Sequence, residues 1–480
     1  MKMQRFILLL ALMLSALAVF ADTEQEPVKR VKYKHAPGYI FRLTLTDKQG
    51  TGCSLEHPTR FLSKRSVERR KRQGLPLDST DLPVSHRHKR AIENHEVAII
   101  GESRWMNSVL VKVKDTVEIQ RLKALSCVKA CKLVWQSPDS ITPTAIKTKY
   151  HDHFEAHDSI GGQIFGKATQ QIQVLKGQRL HDIGCCGDGM MIAVIDGGFK
   201  NADKIPAFQQ IDILGWRDFV CPPSPSIFAE TDHGTKVLSA MAINTPLYYI
   251  GTAPKACYWL LRSEDQQTEQ EVEEDYWVMA AEFADSVGCN LINSSLGYNE
   301  YDHPQMSHQL WQLDGHTAFI SQAASLLADK GILLVNSAGN SGMGPWKKIG
   351  FPADAKNILT VGSVVPESPW RIAPFSSVGP TQDGRVKPDI VAVGAPAYLV
   401  NGRGVITEDM GTSSSTPIVC GLAACLWQAL PHLNVRQLIQ LICETGNNHH
   451  HPDNIYGHGV PNFWRAYMIG KYGETEKLKE

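Results

Sequence analysis

Three short motifs in this 480-residue chain hold residue types that together could hydrolyse an amide bond. Asp196 directly follows the apolar run 191–195, His233 lies in the sequence DHGT, and Ser413 lies in GTSSSTP at 411–417. A serine hydroxyl attacks a carbonyl carbon when a histidine takes its proton and a carboxylate orients that histidine. The motifs therefore indicate Asp196 as the orienting acid, His233 as the base and Ser413 as the nucleophile.

The elements that must position these residues can be predicted from hydrophobic patterning. From about residue 151 onward, short continuous apolar runs alternate with helical segments, as is typical of an α/β domain with a buried parallel sheet. Asp196 would lie at the carboxyl edge of that sheet, and the early proline of a small-residue helix would place Ser413 near a helix amino terminus. The predicted strands are 191–195, 258–261, 290–293, 332–335 and 358–361, and the predicted helices are 236–241, 271–287 and 316–330.

The region from 22 to 150 has a different pattern of predicted strands and helices. It reads as a strand, a basic helix, two strands, a helix and a last strand, which predicts a small α+β sandwich. The corresponding ranges are 39–45, 60–72, 97–100, 108–113, 116–130 and 131–135.

The three motifs occur along the chain in the order Asp, His, Ser, which is one of several orders known for such triads. With AVIDGG at 193–198, HGTKV at 233–237 and GTSSSTP at 411–417, the chain resembles the subtilisin-like (S8) serine peptidases over about residues 188–466. The resemblance implies a three-layer α/β domain whose mainly parallel buried sheet is flanked by helices. Further similar stretches are NSSLG at 293–297, NSAGN at 336–340, FPADA at 351–355 and KPDI at 387–390.

The resemblance also implies roles for individual residues. Ser413 would attack the scissile carbonyl, and Asn340 would complete the oxyanion hole with its side-chain amide. One departure is Gly197, which stands where many family members carry Ser or Thr directly after the catalytic Asp. Backbone groups that would pair with an extended polypeptide substrate belong to Ser295, Leu296 and Gly297 and to Ser337, Ala338 and Gly339.

No cofactor is required for this chemistry, and no metal is assigned to the site. Many members of the family bind structural calcium, but no stretch of this chain shows a recognisable loop of oxygen ligands. Histidine-rich segments at 449–458 and 151–157 could bind a metal, but we interpret both as solvated loops.

The amino terminus predicts export. A basic n-region, an apolar h-region at 6–17 and a small-residue cleavage site before Asp22 indicate a signal peptide over residues 1–21. The protein would act in the periplasm, at the cell envelope or outside the cell, with no membrane anchor after signal cleavage.

Domain boundaries follow from these patterns and from the resemblance. Residues 22–150 are similar in position and element order to the inhibitory, chaperone-like propeptides of the family, 151–470 would form the peptidase domain, and 471–480 a charged tail. The chain is therefore expected to be a secreted bacterial zymogen whose partners are its polypeptide substrates and its own propeptide. Processing is expected between Gln136 and Gly184.

The net charge of the whole chain gives little information about its partners. Lys plus Arg and Asp plus Glu both total 49, so the net charge gives no reason to expect nucleic acid as a partner. We interpret the basic run 69–72 and the acidic residues of 269–275 as solvated helix faces. The alternatives are a nucleic-acid patch or processing signal for the basic run, and a preference for basic substrate residues for the acidic one; RHKR at 87–90 also resembles a convertase site.

The chain has eleven cysteines, an odd number, and their spacings do not form a compact disulfide framework. Cys289, Cys420 and Cys425 lie in apolar or small-residue segments and are expected to be buried free thiols. The adjacent pair at 185–186 and Cys221 are better candidates for bridges or exposed thiols.

Two other functions compete with the peptidase. A catalytically silent binding protein on the subtilisin fold would be expected to lack a triad member, and none is missing. An esterase of the α/β-hydrolase type would need a G-x-S-x-G elbow and a different triad order. The related sedolisins carry a glutamate in place of the base histidine, so HGT at 233–235 argues against them.

Overall fold

The computed structural model describes residues 31–32, 38–95, 97–141 and 163–473. The predicted signal peptide, the histidine-rich segment at 151–157 and the last seven residues of the predicted tail lie outside the described residues.

The chain begins with an antiparallel sheet and its helices. Four strands pair in the spatial order β3, β4, β2, β5, and β1 pairs separately with β6. The strands are β1 Val31–Lys32, β2 Tyr39–Leu45, β3 Ala98–Ser103, β4 Ser108–Val113, β5 Val128–Gln136 and β6 Ser140–Ile141; the helices are α1 Lys64–Arg72, α2 His86–Glu93 and α3 Thr116–Lys123.

This N-terminal sheet confirms the predicted α+β pattern, with two corrections. The predicted helix 116–130 ends at Lys123, because the chain turns and Val128 already pairs with Leu45 of β2. The RHKR run at 87–90 lies inside α2, a helix that the pattern did not predict and that Ser85 caps by accepting from the His88 N–H.

The second sheet has seven parallel strands in the order β15, β14, β13, β12, β7, β11, β8. Each predicted strand is present to within three residues of its predicted bounds. The elements are β7 Met191–Asp196, β8 Asp212–Asp218, β9 Asn244–Thr245, β10 Tyr249–Ile250, β11 Cys257–Arg262, β12 Leu291–Ser294, β13 Leu333–Ser337, β14 Leu359–Val364, β15 Ile390–Val393, β16 Ala397–Val400 and β17 Ile406–Asp409, with helices α4 Thr169–Val174, α5 Gln178–Asp182, α6 His233–Ala242, α7 Val272–Val287, α8 Phe319–Leu326, α9 Thr412–Ala429, α10 Val435–Glu444 and α11 Phe463–Tyr472.

Helices cover both faces of this central sheet. Side chains at alternate positions of β7 point to opposite faces. Ile192 and Val194 join the core formed with α6, α9, α10 and α11, whereas Ala193 and Ile195 join the core formed with α7 and α8. The three-layer α/β class expected from the sequence is confirmed.

Helix α8 is shorter than the predicted 316–330. The Asp314 side chain accepts from the N–H groups of His316 and Thr317, at 2.8 and 2.6 Å, and this local turn delays the start of the helix to Phe319. Asn and Asp side chains compete with helix formation in this way.

Buried charges join the N-terminal sheet and its helices to α7. Arg69, Arg70 and Arg104 all contact the carboxylate of Asp285, which is 0% exposed. Arg70 Nη1 lies 2.9 Å from Asp285 Oδ1, and the three guanidinium groups hold the pKa of Asp285 well below its usual range, against the opposing effect of burial. The prediction that the basic run 69–72 is a solvated face is wrong for Arg69 and Arg70, each of which is 1% exposed.

The acidic run beside α7 was also predicted to be solvated, and this is wrong for four of its five members. Glu271 and Asp275 pair with Arg42 of β2, and Arg42 Nε donates to Asp275 Oδ1 at 2.7 Å. Glu274 accepts from Tyr301 and pairs with His308. The exposed fractions are 2% for Glu271, 1% for Glu273, 0% for Glu274 and 4% for Asp275.

Cysteine placement follows the sequence in part. Cys289, Cys420 and Cys425 are buried as predicted, and all eleven cysteines, which fall within the described ranges, are free thiols. Cys185, Cys186 and Cys221 form no bridge, and the alternative of an exposed thiol holds for Cys221, whereas Cys185 and Cys186 are partly buried. No helix within the described ranges has both the length and the apolarity needed to cross a bilayer.

The Asp285 cluster predicts a large stability effect. Asp285→Asn leaves three guanidinium groups without their shared anion, and breaking a buried pair in this way costs about 3–5 kcal/mol. We expect a free energy of unfolding lower by that amount in urea titrations of the full-length chain. Asp329→Asn removes an exposed pair with Arg436 and should change it by less than about 1 kcal/mol; equal effects of the two substitutions would contradict the assignment.

Candidate active site

Asp196 is the last residue of β7, between β11 and β12 at the carboxyl edge of the central sheet. Its side chain is completely buried, and the Gly197 N–H donates to its Oδ1 at 2.8 Å. Its carbonyl accepts from the Ser263 N–H at 3.0 Å. The carboxylate is therefore held in one orientation, at the edge of the sheet where the apolar run before it placed Asp196.

His233 is the first residue of α6, and its ring contacts that carboxylate. Nδ1 lies 2.8 Å from Asp196 Oδ1 and 3.0 Å from Oδ2. The side chain remains 34% exposed, so the other ring nitrogen is accessible from the cleft. Burial lowers the pKa of His233, but the charge and hydrogen bond of Asp196 outweigh it and raise the pKa to about 9.

Ser413 lies in the first turn of α9, one residue after the helix begins at Thr412. The first N–H groups of a helix have no partner within the helix, and they carry its positive dipole end. Helix α9 packs against α6, so Ser413 and His233 stand near the amino ends of two neighbouring helices. No hydrogen bond joins their side chains among the described contacts; such bonds are often longer in a free site and shorten when substrate binds.

Asn340 is held beside the nucleophile by Thr412. Its Oδ1 accepts from the Thr412 N–H and from Thr412 Oγ1, both at 2.9 Å, which leaves the Nδ2 donors for another group. A Cβ atom built on Gly411 would lie 2.7 Å from Ser413 Oγ and 3.6 Å from Asn340 Nδ2. The hydroxyl and the amide therefore border one small space, which the glycine leaves open.

The predicted substrate-binding segments follow β12 and β13. Ser295 Oγ donates to the Ser413 carbonyl at 3.0 Å, and Ser337 Oγ donates to the Leu296 carbonyl at 3.1 Å. Gly297 is exposed, and its backbone groups have no hydrogen-bond partner in the described part of the chain.

The second segment is more fully paired. The Ala338 carbonyl accepts from the Gly350 N–H at 3.1 Å, and the Gly339 carbonyl accepts from the Ser377 N–H at 2.9 Å. The backbone that remains available to a ligand therefore lies mainly at Gly297.

Sequence reasoning missed Glu264, which lies beside the triad candidates. A Cβ atom on Gly197 would lie 3.1 Å from Glu264 Oε2 and 2.8 Å from Gln266 Nε2. A larger residue after Asp196 would require the ends of these two side chains to shift. Burial and the charge of Asp196 raise the pKa of Glu264 to about 7, in spite of His233. The sequence signal was its position three residues after the predicted strand 258–261.

Metal ligation has no support from the described residues, which contain no group of three His, Cys, Asp or Glu side chains arranged to hold an ion. The loop at 449–451 lies at the surface, with His450 and His451 exposed and His449 partly buried.

Comparison with known proteins places this geometry in a family. Residues 187–459 match the family model of the subtilase family, and residues 41–151 match the model of the Bacteroidota peptidase S8 propeptide domain. Subtilisin DY of Bacillus licheniformis is 27% identical over 282 residues, which cover 58% of this chain and 90% of the relative.

Two further relatives agree with these matches. Subtilisin Savinase of Lederbergia lenta is 28% identical over 283 residues, covering 59% of this chain and 92% of its own, and a thermostable alkaline protease of Halalkalibacterium halodurans is 26% identical over 300 residues, covering 62% and 72%. With more than half of its residues matched by the family model, the chain belongs to the subtilase family of serine-type endopeptidases and carries that family's propeptide domain before the peptidase domain.

Proposed function

We propose that this endopeptidase is exported as a zymogen and cleaves polypeptides with Asp196, His233 and Ser413 as its triad and Asn340 in its oxyanion hole. The observation that carries the proposal is the contact of the buried Asp196 carboxylate with His233 Nδ1 at 2.8 Å. A buried carboxylate in that position orients the imidazole and stabilises its protonated form. It leaves Nε2 to serve as the base.

In the proposed mechanism, His233 takes the proton of Ser413 Oγ as this oxygen attacks the scissile carbonyl. The tetrahedral intermediate collapses when His233 returns the proton to the leaving amine. Water then hydrolyses the acyl-enzyme by the same route, and Ser413 recovers its proton. Asp196 stays ionised throughout.

The developing negative charge would be bound by the Nδ2 donors of Asn340 and by the Ser413 N–H. The fixed orientation of Asn340, whose Oδ1 is held by two bonds from Thr412, supports this role, because donors that are already aligned need no reorganisation in the transition state.

The substrate would bind as an extended strand along Ser295, Leu296 and Gly297, with the segment from Ser337 to Gly339 on the opposite side. The exposed and unpaired backbone at Gly297 supports the first wall. Backbone pairing accepts many sequences, so a further element is needed to select among side chains.

Export and latency complete the proposal. Residues 1–21 would be removed as a signal peptide, 22–150 would act as inhibitor and folding aid, 151–470 would be the peptidase domain, and 471–480 a charged tail. The propeptide-domain match and the buried contacts of Arg69, Arg70 and Arg104 with Asp285 support a tightly held N-terminal region. The mature enzyme would work in the periplasm, at the cell envelope or outside the cell.

Self-processing provides the first test. We expect the purified wild-type chain to cleave itself between Gln136 and Gly184, and the Ser413→Ala chain to remain intact, because only the wild type carries the nucleophile. Intact-mass measurements over time report both. If both folded chains stay full length, self-processing is wrong and a silent binding protein gains support; if both are cut, Ser413 is not the nucleophile.

Asn340→Ala tests the oxyanion hole. Removing one such donor lowers kcat by about 100- to 1,000-fold, and we expect that loss with little change in KM, because the bond forms mainly in the transition state. Steady-state hydrolysis of a chromogenic peptide by processed enzyme measures it. Asn357→Ala is the control, because Asn357 is exposed and precedes β14 at the amino edge of the central sheet, opposite the site. A normal kcat for Asn340→Ala would remove this residue from the mechanism.

The pH profile tests the base. His233 must be neutral to accept a proton, and Asp196 raises its pKa towards 9, so kcat/KM should fall as the pH drops through a midpoint above the ordinary value of about 6.5. Asp196→Asn should lower kcat by about 10,000-fold and move the midpoint down. A wild-type midpoint at or below about 6.5 would contradict the proposed coupling.

A further inference from the structure

A cavity lined by carboxylates lies beside the proposed triad. It has a volume of about 220 Å³, and its acidic lining residues are Glu264, Asp265, Glu269, Glu273 and Asp302. They belong to the loop between β11 and α7, to the first turn of α7 and to the segment that follows Gly297.

One carboxylate in this cavity is buried and only half satisfied. Glu273 is 1% exposed; its Oε1 accepts from the Asp265 N–H at 2.7 Å, but its Oε2 has no hydrogen-bond partner. A buried carboxylate oxygen without a donor carries a large desolvation cost. The arrangement is therefore incomplete without a group that donates hydrogen bonds or positive charge.

Protein cations do not fill this need within the described residues. No lysine or arginine nitrogen there lies within 4.0 Å of the carboxylates of Glu264, Asp265, Glu269 or Glu273. The other buried acids of the same region each contact a basic side chain, since Glu271 and Asp275 pair with Arg42, and Glu274 pairs with His308, although Glu271 Oε2 has no hydrogen-bond partner either. The contrast sets the cavity apart from the interface of α7.

The geometry of the carboxylates points to a side chain rather than to a metal ion. In the described part of the chain, no three of the acidic groups converge closely enough to coordinate an ion. An ammonium or guanidinium group, in contrast, can contact carboxylates spread along a cavity wall, because its donors point in several directions and its stem is long.

The cavity also borders the cleft. Glu264 is two residues beyond Arg262, which pairs directly with Asp196 across β11 and β7. On the other side, the Glu269 N–H donates to Asp302 Oδ2 at 3.2 Å, and Asp302 lies five residues beyond Gly297. Glu264 Oε2 also lies 3.1 Å from the place of a Cβ atom on Gly197, next to Asp196. A polypeptide bound along Gly297 and cleaved at Ser413 would therefore pass the cavity.

We propose that this cavity is a specificity pocket that binds a lysine or arginine side chain of the polypeptide substrate, with Glu264, Glu269 and Glu273 as its main contacts. The inference rests on the proposed function, because it takes the cleft beside Asp196 and His233 as the substrate site. For Glu269 and Glu273 it adopts the alternative interpretation of the acidic run, a preference for basic substrate residues.

The electrostatics of the empty cavity agree with this assignment. Burial and the charges of Glu264, Asp302 and Asp265 raise the pKa of Glu269 to about 8, and burial together with Glu269 and Glu264 raises the pKa of Glu273 strongly. Carboxyl groups with raised pKa values hold protons near neutral pH, and a bound cation would favour their ionised forms. Binding of a lysine or arginine side chain would therefore release protons from the cavity.

The test uses the processed enzyme and peptides of one fixed sequence that differ only by lysine or glutamine at one position, with the lysine moved through all positions around the cleaved bond. We expect kcat/KM to be at least tenfold higher for lysine at one position. Glu273→Gln and Glu269→Gln should each lower the lysine-to-glutamine ratio of kcat/KM about fivefold or more. The change should come from a higher KM for the lysine peptide, while the kcat/KM of the glutamine peptide stays the same. Glu300→Gln, an exposed neighbour outside the cavity, should leave the ratio unchanged.

Each outcome decides the matter. A lysine-to-glutamine ratio near one at every position overturns the pocket while the proposed function stands, and hydrolysis of no peptide at all counts against the proposed function instead. If Glu273→Gln does not fold, Glu269→Gln on the exposed rim gives the same comparison. Calorimetric binding of calcium that Glu269→Gln abolishes, without a preference for lysine, would make the cavity a metal site and overturn the proposal.

Discussion

Strand β7 pairs in parallel with β11 on one side and with β12 on the other, and this pairing brings the residues of the candidate site together. Parallel strands end at the same edge of a sheet, so the residues that follow each of them meet there. Asp196 ends β7, Glu264 follows β11, and Ser295 follows β12. A shift of one residue in this register would turn Asp196 to the opposite face of the sheet, away from His233.

Close backbone approach is the second requirement of the site. Gly411 leaves the space that Ser413 Oγ and Asn340 Nδ2 share, and Gly197 leaves the space that Glu264 and Gln266 occupy. A Cβ atom would lie 2.7 Å from Ser413 Oγ at Gly411 and 2.8 Å from Gln266 Nε2 at Gly197, so at both positions the glycine lets polar side-chain ends come close to the backbone. In the sequence, Gly197 stands where many family members carry a hydroxyl residue. In the structure, the side chains of Glu264 and Gln266 lie beside it instead.

Helix α7 carries buried charge in two distinct states. Towards the N-terminal sheet, Asp275 and Asp285 are paired with arginines, so the cost of removing charges from water is offset by close and well-oriented contacts. Towards the cleft, Glu273 has one oxygen without a donor. The first state is suited to holding the propeptide domain in place. The second is suited to receiving a partner that arrives from outside.

The class of fold, the strands of the central sheet and the residues of the candidate triad could all be predicted from the sequence, because each depends on local signals. Apolar runs mark buried strands, and the motifs around Asp196, His233 and Ser413 each keep their residues within a short stretch of chain. Which charges are buried depends on tertiary packing. The basic run at 69–72 and the acidic run at 269–275 both have the composition of solvated helices. A single sequence does not show that Arg69 and Arg70 pair with Asp285, or that Glu271 and Asp275 pair with Arg42, across more than 200 residues of chain. Long-range pairing of Arg69 with Asp285, and the meeting of Glu264 with Gly197, follow from how the two sheets and α7 pack, and packing is a property of the whole chain rather than of any segment.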